Sequence, residues 1–314
     1  MQRPKLIAVA GPTASGKSDL ALKLAARLDG EIVCMDSMQI YRRMDIGTAK
    51  PTPQEQALIP HHMLDIIEPT ASYAVADYAQ DAERTITEIL SRGKLPILTG
   101  GTGLYLKALM HGLSLGGAGS DEQLRERLNA LAQEPDGRQQ LHERLTKIDP
   151  VSAAKLHPND IRRVIRAIEV FELTGTPISE QKQEEPDGAF DILPLAIDLP
   201  RPLLYERLEK RVHQMMRDGL LREVKALLTE GVTAQMQSMQ GIGYKELIPV
   251  AEKKAAVDDA VWQIILHTRH YAKRQGTWLR TEPMVVWLTE TGEERFSRAL
   301  ALIDRFMTEG TKEA

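Results

Sequence analysis

Short apolar runs alternate with amphipathic stretches through the first third of the chain. Leu6-Ile7-Ala8-Val9-Ala10 is apolar at every position, the pattern of a buried strand. Ser18 to Leu28 carries its apolar residues at helical spacing and predicts the helix that follows. Glu31 to Met35 predicts a second strand, and Leu95-Pro96-Ile97-Leu98-Thr99 a third, preceded by a helix from about Val75 to Ser91. Strand and helix in alternation predict an α/β fold, a parallel sheet with helices on both faces. Such sheets bind ligands at the carboxyl ends of their strands.

The pattern changes near Gly112. Gly116-Gly117-Ala118-Gly119-Ser120 predicts a flexible break, and from Asp121 to about Gly175 the chain reads as helical and charged, with no convincing strand. Gln181 to Gly188 is polar and acidic, like a linker, and strand character returns at Ile192 to Leu199. Residues 113–190 therefore read as a mainly helical insertion into a core made of residues 1–112 and 191–314. Beyond Pro202 come long amphipathic helices, a short strand at Met284 to Leu288 and a last helix.

Composition narrows the function classes. A net charge of −4 argues against coating nucleic acid by bulk charge, though not against a local basic surface. Only 4% of residues are aromatic, too few for a wide single-strand stacking platform. The one cysteine, Cys34, cannot close an internal disulfide or build a cysteine-rich zinc site. Within Ile32-Val33-Cys34-Met35 it reads as a small buried hydrophobe, which suits a cytoplasmic protein. The apolar run after Lys5 is too short for a secretion signal, and no segment is long enough to span a membrane. No obligate protein partner is evident, so a monomer is expected.

Gly11-Pro12-Thr13-Ala14-Ser15-Gly16-Lys17-Ser18 matches the phosphate-loop pattern G-x-x-x-x-G-K-S/T in full, after a strand and before a helix. The glycines let backbone N–H groups turn inward around a phosphate. The helix start adds unpaired N–H groups and a positive dipole end. Lys17 supplies a cation, and the Ser18 hydroxyl can ligate magnesium. This predicts a P-loop NTPase-like sheet holding a diphosphate or triphosphate. It does not name a reaction. An ATPase or GTPase wants an apolar strand ending in a magnesium-holding Asp. The strand Leu95 to Thr99 instead runs into Gly100-Gly101-Thr102-Gly103.

The second strand ends at Met35-Asp36-Ser37-Met38-Gln39-Ile40-Tyr41, placing Asp36 beside the phosphate loop. A carboxylate there can hold metal through water, take a proton from a nucleophile, or only cap the next turn. The phosphate loop with this second stretch resembles the tRNA dimethylallyltransferase family, the isopentenyl-diphosphate:tRNA transferases. Further stretches in order carry the resemblance: Met44-Asp45-Ile46-Gly47-Thr48-Ala49-Lys50-Pro51, His61-His62-Met63-Leu64-Asp65 and Gly100 to Tyr105, then His157-Pro158-Asn159-Asp160 with Arg162, Arg163 and Arg166. Gly241-Ile242-Gly243-Tyr244-Lys245 and Lys273-Arg274-Gln275-Gly276-Thr277-Trp278-Leu279-Arg280 complete it. Without cysteines for a C-terminal zinc finger, the chain is similar to the shorter bacterial form.

The resemblance implies transfer of a dimethylallyl group from dimethylallyl diphosphate to the exocyclic amine of the adenine just 3′ of the anticodon. Asp36 would be the general base, with Thr13 and Lys17 on the diphosphate and Arg211 closing over it. The implied RNA contacts are Asp36, Ser37, Met38, Gln39 and Thr102, then Arg162, Arg163, Val164, Ile165 and Arg166 in the insertion. Gln240, Gly241, Ile242, Gly243, Tyr244 and Lys245 follow, with the stretch Lys273 to Arg280. Gln39 would bond an adenine edge. Each basic cluster alone more often reads as a solvated helix face, and Arg211 reads equally as a solvated helix charge. A free-adenylate prenyltransferase, a small-molecule kinase and a nucleotide-gated RNA-binding switch remain as rivals, and the acceptor that gains label from dimethylallyl diphosphate separates them.

Overall fold

The structure is a computed structural model describing residues 3–112, 119, 121–181 and 188–308. Among these residues lies one sheet of strands β1 (Lys5–Ala10), β2 (Gly30–Cys34), β3 (His61–His62), β4 (Leu95–Gly100), β5 (Asp191–Ile197) and β6 (Val286–Leu288). Their spatial order is β3-β2-β4-β1-β5-β6, and every neighbouring pair is parallel. Central β1 pairs with β4 on one side and β5 on the other, Ile7 facing Ile97 and Leu193.

The even apolar content of β1 follows from that position. Leu6, Ala8 and Ala10 point into one buried cluster, Ile7 and Val9 into the opposite one. A strand covered on both faces shows no polar alternation. The second face is covered by α1 (Lys17–Leu28), which buries Leu20, Ala21, Leu24 and Ala25, and by the last helix through Ala299 and Ile303. The first face is covered by α3 (Val75–Ser91) and α4 (Gly103–His111), α2 (Pro53–Leu58) being a short turn of helix between β2 and β3.

The chain divides into two compact units, Met1–His111 with Asp187–Ala314, and Gly112–Pro186. Described residues of the second unit form α5 (Glu122–Leu131), α6 (Gly137–Ile148), α7 (Pro150–Lys155) and α8 (Ile161–Thr174), without a strand. Leu128, Leu141, Leu145, Val164 and Ile168 are its core. The break expected at Gly116 to Ser120 lies outside the described residues apart from Gly119, as does most of the linker expected at Gln181 to Gly188. The first unit continues with α9 (Arg201–Asp218), α10 (Leu220–Thr229), α11 (Tyr244–Ala251), α12 (Val257–Leu279) and α13 (Gly292–Thr308).

Two boundaries differ from expectation. The last strand starts at Val286, because Met284 and its neighbours are turn residues outside the ladder. The fifth stops at Ile197, where Asp198 N–H bonds to Leu288 O and Pro200 precedes α9.

Candidate active site

The phosphate loop leaves the carboxyl end of β1 and enters α1 at Lys17. Gly16 caps the helix with φ 94°, a left-handed conformation that favours glycine. Gly11, Pro12 and Ser15 are buried, and Ser18 is exposed at the helix start. The buried Ser15 hydroxyl has no hydrogen-bond partner. The N-terminal N–H groups of α1 carry no side-chain cap, which leaves them free for an anion.

A cavity of about 120 Å³ opens over the loop, lined among others by Thr13, Lys17, Ser18, Asp36, Arg211, Tyr271 and Gln275. These residues come from the ends of β1 and β2, the start of α1, and α9 and α12, so the sheet topology assembles them. Lys17 Nζ reaches Pro12 O at 3.5 Å, and Arg211 donates to the Thr13 hydroxyl at 3.5 Å. Burial, then the Arg211 cation, lower the Lys17 pKa to about 8 against the opposing pull of Asp36. Burial likewise lowers Arg211, again opposed by Asp36. Two crowded cations over a phosphate loop favour a multiply charged anion.

Asp36 follows β2 at the rim of this cavity. One of its oxygens accepts the Met38 N–H at 2.9 Å, which fixes the carboxylate within its own turn. Thr102, just after β4, accepts the Ser37 N–H at 3.0 Å through its hydroxyl. Its side chain thus ties the ends of β2 and β4 together, while its carbonyl accepts the Tyr105 N–H at the start of α4. Cys34 lies buried at the cavity wall, as expected, and donates its thiol to Gln39 Oε1 at 3.1 Å. Burial pushes that thiol up, so it stays protonated.

Gln39 departs from expectation. Its amide nitrogen donates to Thr48 O and Ala49 O at 3.0 and 3.1 Å, and its oxygen takes the Cys34 thiol. Both donors and the carbonyl are engaged inside the protein, so the side chain braces the pocket floor.

Gln275 also changes role. It is buried, accepts the Thr13 N–H at 2.9 Å and donates to Gly101 O at 2.8 Å. It clamps the phosphate loop to the turn after β4. Tyr271, one helical turn earlier on α12, lines the same cavity and was not foreseen. Its spacing of four residues from Gln275 was the available signal.

Several residues expected to touch RNA are buried. Val164 and Ile165 belong to the core of the helical unit, and Gly241, Gly243, Tyr244, Gly276 and Leu279 are buried in the first unit. The side chains among them serve packing, with Ile165 and Leu279 each 4% exposed. Gln240, Lys245, Lys273, Arg274, Thr277 and Arg280 are exposed, as are Arg162 and Arg163; Met38, Ile242 and Trp278 are half-buried. Arg280 also pairs with Asp198 at 3.3 Å and lies over the Trp287 ring.

Arg166 is half-buried and bound. With Arg125 it pairs to Glu169, whose side chain is 0% exposed, at 2.7 and 2.8 Å, and Asp121 N–H adds a third bond at 2.9 Å. Burial alone would raise the Glu169 pKa, but the Arg125 and Arg166 bonds outweigh it and hold it below the ordinary value. Its stabilisation is therefore complete above the ordinary carboxylate range and is lost as pH falls through the lowered value. Glu169→Gln is expected to destabilise the helical unit by about 1.5–3 kcal/mol at neutral pH. The gap from the parent should close in acid, where Glu169 itself becomes neutral. Urea melts at pH 7 and at successively lower pH, down to well below the ordinary carboxylate range, check this, and a gap that never narrows would refute the pair's role.

Magnesium was expected at Ser18. Among the described residues no group of three or more His, Cys, Asp or Glu side chains could cage a metal ion. Magnesium does not need one, since it usually keeps waters and takes one or two protein oxygens plus substrate phosphates. The exposed Ser18 hydroxyl beside the loop fits that pattern.

A family model described as IPP transferase matches residues 39–282. A tRNA dimethylallyltransferase of Pelotomaculum thermopropionicum is 48% identical over 288 residues, 91% of each chain. One of Halalkalibacterium halodurans is 43% identical over 97% of each. The crystal structure of a full-length tRNA isopentenylpyrophosphate transferase from Bacillus halodurans superposes with TM-score 0.74 at 40% identity, covering 99% of both chains. A eukaryotic dimethylallyltransferase acting on tRNA superposes with TM-score 0.83 at 32% identity, over 98% of this chain and 80% of that one.

Proposed function

The chain belongs to the IPP transferase family, and on that premise we propose that it is a tRNA dimethylallyltransferase. It moves the dimethylallyl group of dimethylallyl diphosphate to the exocyclic N6 amine of the adenine 3′-adjacent to the anticodon, and releases diphosphate. The observation that carries this reading is the shared cavity, in which a carboxylate, Asp36, faces a phosphate loop and two half-buried cations, Lys17 and Arg211.

In the reaction the bond between C1 of the dimethylallyl group and the diphosphate oxygen breaks, and a bond from N6 to C1 forms. The N6 lone pair is delocalised into the purine ring, so the amine attacks well only as its proton leaves. Asp36 takes that proton. The loop N–H groups, Lys17 and Arg211 stabilise the charge gathering on the departing diphosphate, with Arg211 held through Thr13. Magnesium at Ser18, when bound, supplies further charge neutralisation. The target base leaves its stack to reach the cavity, as bases do in other modifying enzymes. Gln240, Lys245, Lys273, Arg274, Arg162 and Arg163 are the exposed residues suited to the RNA backbone.

Among the described residues no helix is long and apolar enough to cross a membrane. The enzyme works in the cytoplasm, where its RNA substrate is.

The test offers labelled dimethylallyl diphosphate with tRNA, with AMP and with free nucleosides. Label on the adenine 3′ of the tRNA anticodon is expected. Label on AMP alone would replace the reading with a nucleotide prenyltransferase, and label on none would sink it.

A further inference from the structure

The segment from Met44 to Lys50 walls the cavity through Thr48, Ala49 and Lys50, yet it lies in no helix or strand. Such segments sample many conformations unless side chains restrain them. Glu223, on α10, restrains this one. One carboxylate oxygen accepts the Asp45 and Ile46 N–H groups at 3.0 and 2.8 Å. The other accepts the Gly47 N–H at 3.1 Å and the Tyr244 hydroxyl at 2.6 Å. Four donors on one side chain require the acceptor capacity of an ionised carboxylate. Burial and then the Glu223 charge push the Tyr244 phenol well above its ordinary pKa, which keeps its proton in place to donate. The Tyr244 ring approaches Gly47 so closely that an added Cβ would meet it at 2.5 Å, so a side chain at that position would displace the loop.

The restraint reaches the reacting groups in two short steps. The loop presents Thr48 O and Ala49 O, and both hold the Gln39 amide. Gln39 in turn lies in the same short turn as Asp36, whose carboxylate accepts the Met38 N–H. We propose that Glu223 is a positioning residue of the acceptor half of the site, holding the Met44 to Lys50 loop and, through it, Gln39 at the floor of the base pocket. The assignment rests on the transfer reaction proposed above. It gives Tyr244, which is buried, a role as the second support of the same loop.

The test is Glu223→Gln. Glutamine offers one carbonyl oxygen where glutamate offers two, so about half of the four donors lose their acceptor. The KM for an anticodon stem-loop should rise about tenfold, while dimethylallyl diphosphate affinity, measured by direct titration, stays within about twofold. Combining Glu223→Gln with Gln39→Ala should cost little more than the worse single change, because both act on one chain of contacts. Equal losses for the two substrates, an unchanged stem-loop KM, or fully additive losses would overturn the assignment. Hydrogen exchange at the Asp45, Ile46 and Gly47 amides provides a readout independent of the reaction and should quicken about tenfold. Parent-like exchange would overturn the loop-holding step. A parent chain that transfers no prenyl group would count against the proposed reaction instead, with the exchange result still deciding what Glu223 does.

Discussion

Asp36→Asn is expected to lower turnover about 10²–10⁴-fold while leaving dimethylallyl diphosphate binding intact, the cost of removing a general base. The substitution is well matched to the question. The side-chain oxygen that accepts the Met38 N–H remains available in asparagine, so the turn after β2 keeps its shape. What disappears is the negative charge and the capacity to take a proton. The diphosphate side should gain if anything, because an anion beside Lys17 and Arg211 competes with an incoming anion for the same cations. Single-turnover rates at saturating RNA and diphosphate, beside diphosphate titration, separate the two effects. A rate near the parent's would remove Asp36 from the chemistry and leave it as a turn residue.

The architecture was legible because its elements are long or unambiguous. Apolar runs at Leu6 to Ala10 and Leu95 to Thr99 are buried strands, and the amphipathic stretch from Val75 to Ser91 is a helix with those bounds. Strand β3 was invisible for a physical reason. It is His61–His62, two half-buried polar residues whose pairing depends on β2 already being in place. The phosphate loop was equally plain, since its glycines, lysine and flanking elements are all local in sequence.

Motif stretches were harder to read residue by residue. A matching stretch marks positions that matter and is silent on whether they matter by touching a ligand. Gln275 sits in a basic stretch and looks like part of an RNA surface, but helical phase turns it inward between Thr13 and Gly101. Arg166 shares a cluster with Arg162 and Arg163, yet faces buried Glu169 one turn away on α8. Val164 and Ile165 lie between those arginines in sequence and on the opposite, buried face of the helix. Glu223 gave no signal at all. In Leu220-Leu221-Arg222-Glu223-Val224-Lys225 it looks like one of several surface charges, and its three backbone partners lie 176 to 178 residues away in sequence. Arg211 shows the opposite case, a helix charge that the fold carries 198 residues back to Thr13.

Lys17→Ala is expected to lower kcat/KM for dimethylallyl diphosphate about 10²–10³-fold, the usual cost of losing one electrostatic contact to a leaving group. The reason lies in the condition of the cation before substrate arrives. Lys17 is confined by burial and by the neighbouring Arg211, which together bring its pKa down to about 8. A diphosphate relieves both penalties at once, so much of the interaction is realised only when the anion is present and grows as charge collects on it. Binding should weaken without vanishing, because the loop amides and Arg211 remain. RNA binding should persist, since the exposed basic residues Lys273, Arg274, Arg162 and Arg163 are unaffected. Product should form in the parent with no ATP present, because the phosphate loop holds the leaving group of the prenyl donor. Diphosphate release measured with and without ATP, beside RNA affinity for the variant, makes the comparison. ATP hydrolysed in proportion to product would overturn the transferase reading in favour of a kinase or ATPase that uses the same loop for its nucleotide.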